Sequence, residues 1–162
     1  MNKMFSKIAF LGIVFVLFSC DKQQIFDEYR KFDGTWKKND KASFTFEQKD
    51  TVSKYNFFIN IRNNNDYPYN NLFVIAKLNQ PNGKILVDTL EYQMTNPDGS
   101  LLGVGFSDIK ESKLWYKENF SFSKIGTYTV TLEHALRQTG KVSGLQDLEG
   151  VTEVGFRIEK TK

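Results

Sequence analysis

The sequence has one cysteine, Cys20, and one histidine, His134, among its 162 residues. A single cysteine cannot form an intramolecular disulfide, so the fold must be stabilised by its apolar core. A single histidine is a poor basis for a catalytic triad or a metal site, because such sites need several convergent groups. The sequence also lacks the G-x-S-x-G pattern of many serine hydrolases. We therefore expect no catalytic residue, no metal, no cofactor and no enzyme activity.

A strong charge imbalance is also missing. The chain contains 22 lysines and arginines against 19 acidic residues, and Lys3 and Lys7 lie in the first 19 residues, where there is no acid. The remainder is therefore almost neutral and has no basic stripe of the kind that follows a nucleic acid. We expect neither a nucleic-acid partner nor a small-molecule substrate.

The first 20 residues form a pattern of their own. A basic start is followed by the uncharged run Ile8–Phe18, then by Ser19 and Cys20. The run is shorter than the roughly 20 apolar residues that span a bilayer, and it suits the apolar part of a secretory signal. No later apolar run is long enough to span a bilayer. The sequence predicts a signal peptide over residues 1–19.

Cys20 has three possible interpretations: a buried or free thiol, an intermolecular disulfide, or a lipidation site. The residues Leu17-Phe18-Ser19-Cys20 resemble the bacterial lipobox, in which the cysteine is acylated and becomes the first mature residue. Cleavage at an ordinary Ala-x-Ala-like site is the alternative. We favour lipidation of Cys20, which would attach the protein to a membrane through acyl chains.

Residues 20–40 are polar with scattered aromatics, and we interpret them as a tether that packs partly on the domain. Residues 41–162 show repeated two-residue alternation of apolar and polar side chains, which is typical of half-buried antiparallel strands. The predicted strands are Ser43–Gln48, Lys54–Asn63, Asn71–Leu78, Lys84–Thr95, Gly126–Arg137 and Val151–Lys160. The segment Trp115–Phe120 fits either a strand or a short helix.

Turn residues separate these strands. Pro81-Asn82-Gly83 lies between two of them and Pro97-Asp98-Gly99 follows the second, as expected for turns with a preset proline φ and a glycine at positive φ. The sequence therefore predicts an all-β fold, an antiparallel, jelly-roll-like β-sandwich in a single domain.

His134 and the tyrosines of Asn63–Asn71 are the residues most open to a functional interpretation. His134 is in phase with inward-facing Leu132, whereas Glu133 points the other way, so we interpret the histidine as a packing residue. Aromatics among asparagines suit a protein or glycan surface, because ring faces are apolar and their rims form hydrogen bonds. We expect Tyr67 to pack on its own sandwich and leave Tyr69 open.

Several segments together resemble one protein family. RNNNDYPYNNLFV (Arg62–Val74), DGSLLGVGFSDIKES (Asp98–Ser112), GTYTVTLEHALR (Gly126–Arg137) and DLEGVTEVGFRIEK (Asp147–Lys160) are similar, in order and spacing, to the GldH gliding-motility lipoproteins of Bacteroidetes. The resemblance extends from about Tyr29 to the C-terminus. Only the anchor, Cys20, can be transferred from the family by position.

The resemblance implies a role and no reaction. It implies a lipid-anchored, non-enzymatic envelope component that is required for gliding and is linked to type IX secretion. Our hypothesis is that this component acts by docking on other proteins of that machinery. The resemblance also implies an outer-membrane location, with the periplasmic face preferred. The alternative is a carbohydrate-binding accessory lipoprotein that uses Tyr69 or Trp115.

Overall fold

The computed structural model describes residues 23–137, 140 and 143–162. Cys20 and the predicted signal peptide lie outside the described residues. Ten strands form within them: β1 (Gln24–Lys31), β2 (Thr35–Lys37), β3 (Ala42–Gln48), β4 (Lys54–Asn63), β5 (Asn71–Asn79), β6 (Ile85–Gln93), β7 (Lys110–Ser121), β8 (Gly126–His134), β9 (Asp147–Glu149) and β10 (Val151–Lys160). None of the described residues belongs to a helix that is long and apolar enough to cross a membrane.

Two four-stranded sheets pack face to face. The first sheet has the order β1-β10-β4-β7, the second has β3-β8-β5-β6, and β2 and β9 form a small ribbon. All pairings are antiparallel. The pairs β5·β6, β4·β7, β3·β8 and β1·β10 are nested, as in one long hairpin wound into two sheets, which is the jelly-roll arrangement. The predicted antiparallel, jelly-roll-like β-sandwich is confirmed.

Alternating side chains explain why these segments pair as they do. In β3, Phe44 and Phe46 are buried, whereas Ser43 and Thr45 face solvent and meet threonines of β8 across the pair. This period of two gives each strand one face for the core. The core is strongly aromatic: Phe57 lies 5.6 Å, between ring centroids, from both Phe122 and Phe156.

The region predicted as a tether differs from that expectation. β1 pairs with β10 along its length, and β2 pairs with β9 through the fully buried Trp36 opposite Leu148. The predicted tether is therefore corrected to two strands and their connection from Gln24 to Lys37. β1 lacks the usual alternation because it is an edge strand that buries none of its residues fully.

The ambiguous segment Trp115–Phe120 is part of strand β7. Its pairing with β4 shifts register twice, around Phe57, and Asn119 adopts a positive φ of 52°. The Asn119 amide donates to Asn56 Oδ1 at 2.9 Å, which stabilises this irregular turn of the backbone. Such bulges break the period of two, so the strand pattern was not evident from the sequence.

The strands run between two ends of the sandwich. We call the end at which β1 begins the proximal end and the opposite end the distal end. The proximal end comprises the start of β1, the loops 49–53, 80–84 and 122–125, and residues 160–162. The distal end comprises the connections 32–34, 38–41, 64–70 and 94–109 and the residues that follow β8. Both ends contain only connections and strand ends, so each presents loops rather than a sheet face.

Candidate docking site

An open cleft of about 1110 Å³ lies at the distal end. Its walls come from the β4–β5 loop, the ends of β5 and β6, the turn after β6 and two residues after β8. Amide and hydroxyl groups dominate the lining, which includes Asn70, Asn71, Gln93, Thr95 and Asn96. Glu91 and Arg137 add one charge of each sign. Such a surface can form hydrogen bonds with polypeptide backbone or with sugar hydroxyls.

The β4–β5 loop positions the two tyrosines differently. Asn64 Oδ1 accepts a hydrogen bond from the Asp66 amide at 3.0 Å, which starts the turn. Tyr67 is buried, and its hydroxyl donates to the Asn71 carbonyl at 2.7 Å. Burial also raises the pKa of Tyr67 above its usual value. Tyr69 is half-buried on the cleft wall and meets the Tyr67 ring edge-on, with 6.0 Å between centroids.

The cleft floor is held by hydrogen bonds between its own groups. The Asn70 carbonyl accepts from the Met94 amide at 2.7 Å, and Asn70 Oδ1 accepts from the Thr95 hydroxyl at 3.1 Å. Asn71 Nδ2 donates to Glu91 at 3.0 Å. These bonds connect the β4–β5 loop to β6 and the turn that follows it. The cleft is therefore a preformed surface, which lowers the ordering cost of binding a partner.

An apolar loop lies at the same end of the sandwich. Val104 and Phe106 are 83% and 99% exposed in the connection between β6 and β7. The loop base is fixed, because Val104 and Glu111 exchange two backbone hydrogen bonds of 2.8 Å. An exposed phenylalanine on a fixed loop suits contact with another protein surface. Sequence reasoning missed Phe106, since nothing in its local pattern separates it from the core phenylalanines.

His134 lies inside the sandwich, as predicted. Its ring is 1% exposed and packs edge-on against Trp36 at 5.3 Å. Burial lowers its pKa, so the ring is neutral at physiological pH. The adjacent Glu133 points to the opposite face, where it pairs with Lys41 and Lys77. In the described part of the chain no group of three or more His, Cys, Asp or Glu residues is placed to hold a metal ion.

The outer face of the first sheet has an ordered polar network. Arg62 bridges Glu111, at 2.5 Å, and Glu153, and its guanidinium lies 4.4 Å from the ring centroid of Tyr29. The Tyr29 hydroxyl donates to Glu111 at 3.0 Å and accepts from Asn60 at 2.8 Å. Partial burial and the charge of Glu111 raise the pKa of Tyr29 to about 12. This network connects all four strands of the sheet across its outer face.

Trp115 lies on β7 and does not line the distal cleft. It is 54% exposed and packs on Phe58 with 4.5 Å between ring centroids, while Lys113 lies 4.0 Å from the Phe58 ring centroid. The two aromatics considered for glycan binding, Tyr69 and Trp115, therefore lie on different elements. They do not form one aromatic platform.

Comparison with solved structures gives a weak likeness. The infectious bursal disease virus VP2 subviral particle matches with a TM-score of 0.42 and 10% identity, over 86% of this chain and 33% of that chain. The chain thus spans about a third of that protein's length.

Comparison with curated proteins gives much stronger similarity. The chain is 49% identical over 161 residues to the "Gliding motility lipoprotein GldH homolog" of Christiangramia forsetii, covering 99% of each protein. It is 52% identical over 145 residues to the "Gliding motility lipoprotein GldH" of Flavobacterium johnsoniae, covering 90% of each. The family model described as GldH lipoprotein matches residues 24–158, from the first residue of β1 into β10. On this evidence the chain belongs to the GldH lipoprotein family.

Proposed function

We propose that this protein is a lipid-anchored, non-enzymatic component of the cell envelope that is required for gliding motility and linked to type IX protein secretion. The observation that carries the proposal is the 52% identity over 90% of both chains to a protein named a gliding motility lipoprotein. The family resemblance of the sequence supplies the link to secretion.

The anchor of this component is Cys20, acylated after removal of residues 1–19. The basic start, the short apolar run and the family name support this assignment. The protein would sit on the outer membrane with its sandwich on the periplasmic face. There it would be beside the envelope proteins with which it works.

The component acts by docking on other envelope proteins of the gliding and secretion machinery. The preformed distal cleft and the exposed Phe106 supply a polar and an apolar contact at one end of the molecule. A non-enzymatic role agrees with the position of His134, whose buried ring has a charged neighbour, Glu133, that faces away from it.

Complementation of a gene deletion tests the role and the anchor. Deletion should abolish colony spreading, and the wild-type gene should restore it. The Cys20→Ala protein should be exported, lack acyl chains by mass spectrometry and fail to restore spreading. Full rescue by this unacylated form would contradict the anchored model, and normal spreading of the deletion strain would contradict the gliding role.

Crosslinking in native membranes followed by mass spectrometry tests docking. Wild-type protein should capture gliding or type IX secretion components, and Arg137→Ala with Phe106→Ser should lose them. Val87→Ala, an exposed position on the outer face of the second sheet, is the control and should capture the same set. Unchanged capture by the double variant would place the docking surface elsewhere.

A carbohydrate-binding role is the second candidate, and one observation favours it. Tyr69 lies on the wall of a cleft lined with amides, which is an arrangement that suits sugar rings and hydroxyls. This role predicts saturable binding to a polysaccharide that is lost in Tyr69→Ala and kept in Trp115→Ala. Flat titrations across a panel of envelope and environmental glycans would reject it.

A further inference from the structure

The proximal end differs in charge from the rest of the molecule. Six exposed lysines lie in its loops and strand ends: Lys49, Lys54, Lys84, Lys124, Lys160 and Lys162. Asp50 is the one acid in the same described segments. The acids nearest to them along the strands are Asp27, Glu47, Glu118 and Glu159. Asp27 is paired with Arg157, and Glu159 is paired with Lys113 and Arg157.

Asp50 offsets only one of these charges, and it also orders its own turn. Its carboxylate accepts hydrogen bonds from the amides of Val52 and Ser53, at 2.8 and 3.0 Å, and from the Tyr55 hydroxyl at 3.0 Å. Lys160 approaches it at 3.4 Å. Asp50 therefore shapes the loop, and six lysines against one carboxylate leave these segments with a net positive charge.

Exposed aliphatic side chains lie among the lysines. Val52 is 90% exposed at the tip of the β3–β4 loop, and Ile125 is 67% exposed in the β7–β8 loop. Ile25 and Ile85, at the starts of β1 and β6, are 47% and 57% exposed. Aliphatic tips surrounded by cations match a membrane interface, where lysines meet phosphates and aliphatic groups enter the headgroup boundary.

The proximal loops form one continuous surface. The Lys160 amide donates to the Gln23 carbonyl at 2.8 Å, and the Thr161 amide donates to the Lys54 carbonyl at 2.9 Å. The Ser123 hydroxyl donates to Gln80 at 3.3 Å. The lysines and aliphatic tips are therefore held on connected loops at the end where β1 begins.

The length of the connection to Cys20 fixes which end can be near a membrane. Four residues lead from Cys20 to Gln24, so their Cα atoms are at most about 14 Å apart. A ten-residue strand is about 33 Å long, so the distal end is much farther from the anchor than the proximal end. We propose that the proximal end is a membrane-contact face that rests on the anionic phosphates of the bilayer carrying the anchor.

This inference rests on the proposed anchor, and it adds an orientation: the distal cleft points away from the bilayer. The first test uses the acylated protein in vesicles of phosphatidylethanolamine and phosphatidylglycerol. Two single variants, Val52→Cys and Ile125→Cys, are prepared separately. Because Cys20 is acylated, each variant has one free thiol, and a fluorophore is attached to it. Nitroxide-labelled lipid headgroups should quench both labels strongly and should leave a label at Val104→Cys, at the distal end, largely unquenched.

A charge-matched pair of variants tests the lysines. Lys49→Gln with Lys84→Gln and Lys124→Gln should reduce quenching at the Val52→Cys label, as should replacing the anionic lipid by phosphatidylcholine. Lys37→Gln with Lys38→Gln and Lys110→Gln removes the same charge from the distal side and should change nothing. Equal quenching at both ends, or none at Val52→Cys in acylated protein, would overturn the proposal.

The experiment also distinguishes an incorrect assignment of the lipid anchor from an incorrect assignment of the membrane-contact face. If mass spectrometry finds no acyl groups on the mature chain, the assignment of Cys20 as the anchor is wrong. The unacylated chain is then titrated directly with the same vesicles. The membrane-contact face then predicts binding to anionic but not neutral vesicles, weakened about fivefold for each proximal lysine removed and unchanged by the distal variant. Absence of this binding would overturn the face itself.

Discussion

At the scale of single residues, Gly155 gives the sharpest test of packing. It lies on β10 beneath the Tyr29 ring, and an added Cβ would lie 2.8 Å from two ring carbons. The ring cannot move easily, because its hydroxyl is bonded to Glu111 and Asn60. Gly155→Ala should therefore lower the free energy of unfolding by about 1–3 kcal/mol, measured by urea denaturation.

A second substitution provides the control for this prediction. In a Tyr29→Ala background the added methyl group at position 155 has room, so Gly155→Ala should cost much less there. A double-mutant cycle measures the difference directly. Equal losses in both backgrounds would show that the ring contact is not the cause.

His134 gives a prediction about pH. Burial lowers its folded-state pKa below the ordinary value of 6.5, so the unfolded chain binds a proton that the folded protein does not. The free energy of unfolding therefore decreases as the pH falls below 6.5, by at most about 1.4 kcal/mol per pH unit from this residue, and this contribution is fully present above pH 6.5.

His134→Leu should reduce the dependence of the free energy of unfolding on pH below 6.5. It should leave colony spreading intact, because the ring serves packing. Urea unfolding of wild type and variant at a series of pH values down to about 5 provides the measurement. An unchanged pH slope would contradict the buried neutral histidine. Loss of spreading by a stably folded variant would instead revive a chemical role.

At the scale of elements, β1 is part of the fold. It completes the first sheet against β10, and Phe26 packs on Phe46 and Phe156 at 5.3 and 6.1 Å between centroids. Deletion of residues 24–31, with Cys20 to Gln23 retained, should give a lipoprotein that is rapidly degraded by added protease in isolated membranes. The full-length protein should resist, and equal resistance of both would show that β1 is dispensable.

Much of the sandwich could be predicted because most of its strands bury one face. Alternation locates β3, β4, β5, β6, β8 and β10 to within about three residues at each end, and the largest difference is at the end of β8. β1 was missed because an edge strand at the start of a sheet buries few apolar groups, and β7 stayed ambiguous because its bulges interrupt the alternation. Alternation of apolar and polar residues reflects the burial of one strand face. It therefore does not identify strands that bury few side chains or pair irregularly.

The candidate site was predictable only where its residues are neighbours in the chain. The β4–β5 loop stood out by composition, and the separation of Tyr67 from Tyr69 followed the expected packing. The contribution of Arg137 to the same cleft, and the network from Tyr29 to Arg62, depend on strand order and register. These contacts join residues that are far apart in the sequence, so they cannot be predicted from a single sequence without an alignment.

At the scale of the whole molecule, the distance between the distal cleft and the bilayer becomes a testable quantity. An insertion of about 20 glycine and serine residues between Lys22 and Gln23 adds a flexible span of about 25 Å. In a Lys49→Gln, Lys84→Gln and Lys124→Gln background, which weakens the membrane-contact face, colony spreading should fall because the cleft would no longer be held at a fixed height above the bilayer. Shorter insertions should have graded effects. Full spreading with the longest insertion, in protein shown to be folded and acylated, would contradict fixed-height docking.

The nesting of β1 against β10 also has a consequence for biogenesis. The first strand to emerge during export finds its partner only when residues 151–160 have followed, so the first sheet cannot close earlier. Such long-range pairing makes folding slow relative to helical proteins of similar size. The first sheet therefore stays incomplete, with the aromatic side chains of β1 exposed, until export is almost finished, and chaperones along the export route have their opportunity to act in that interval.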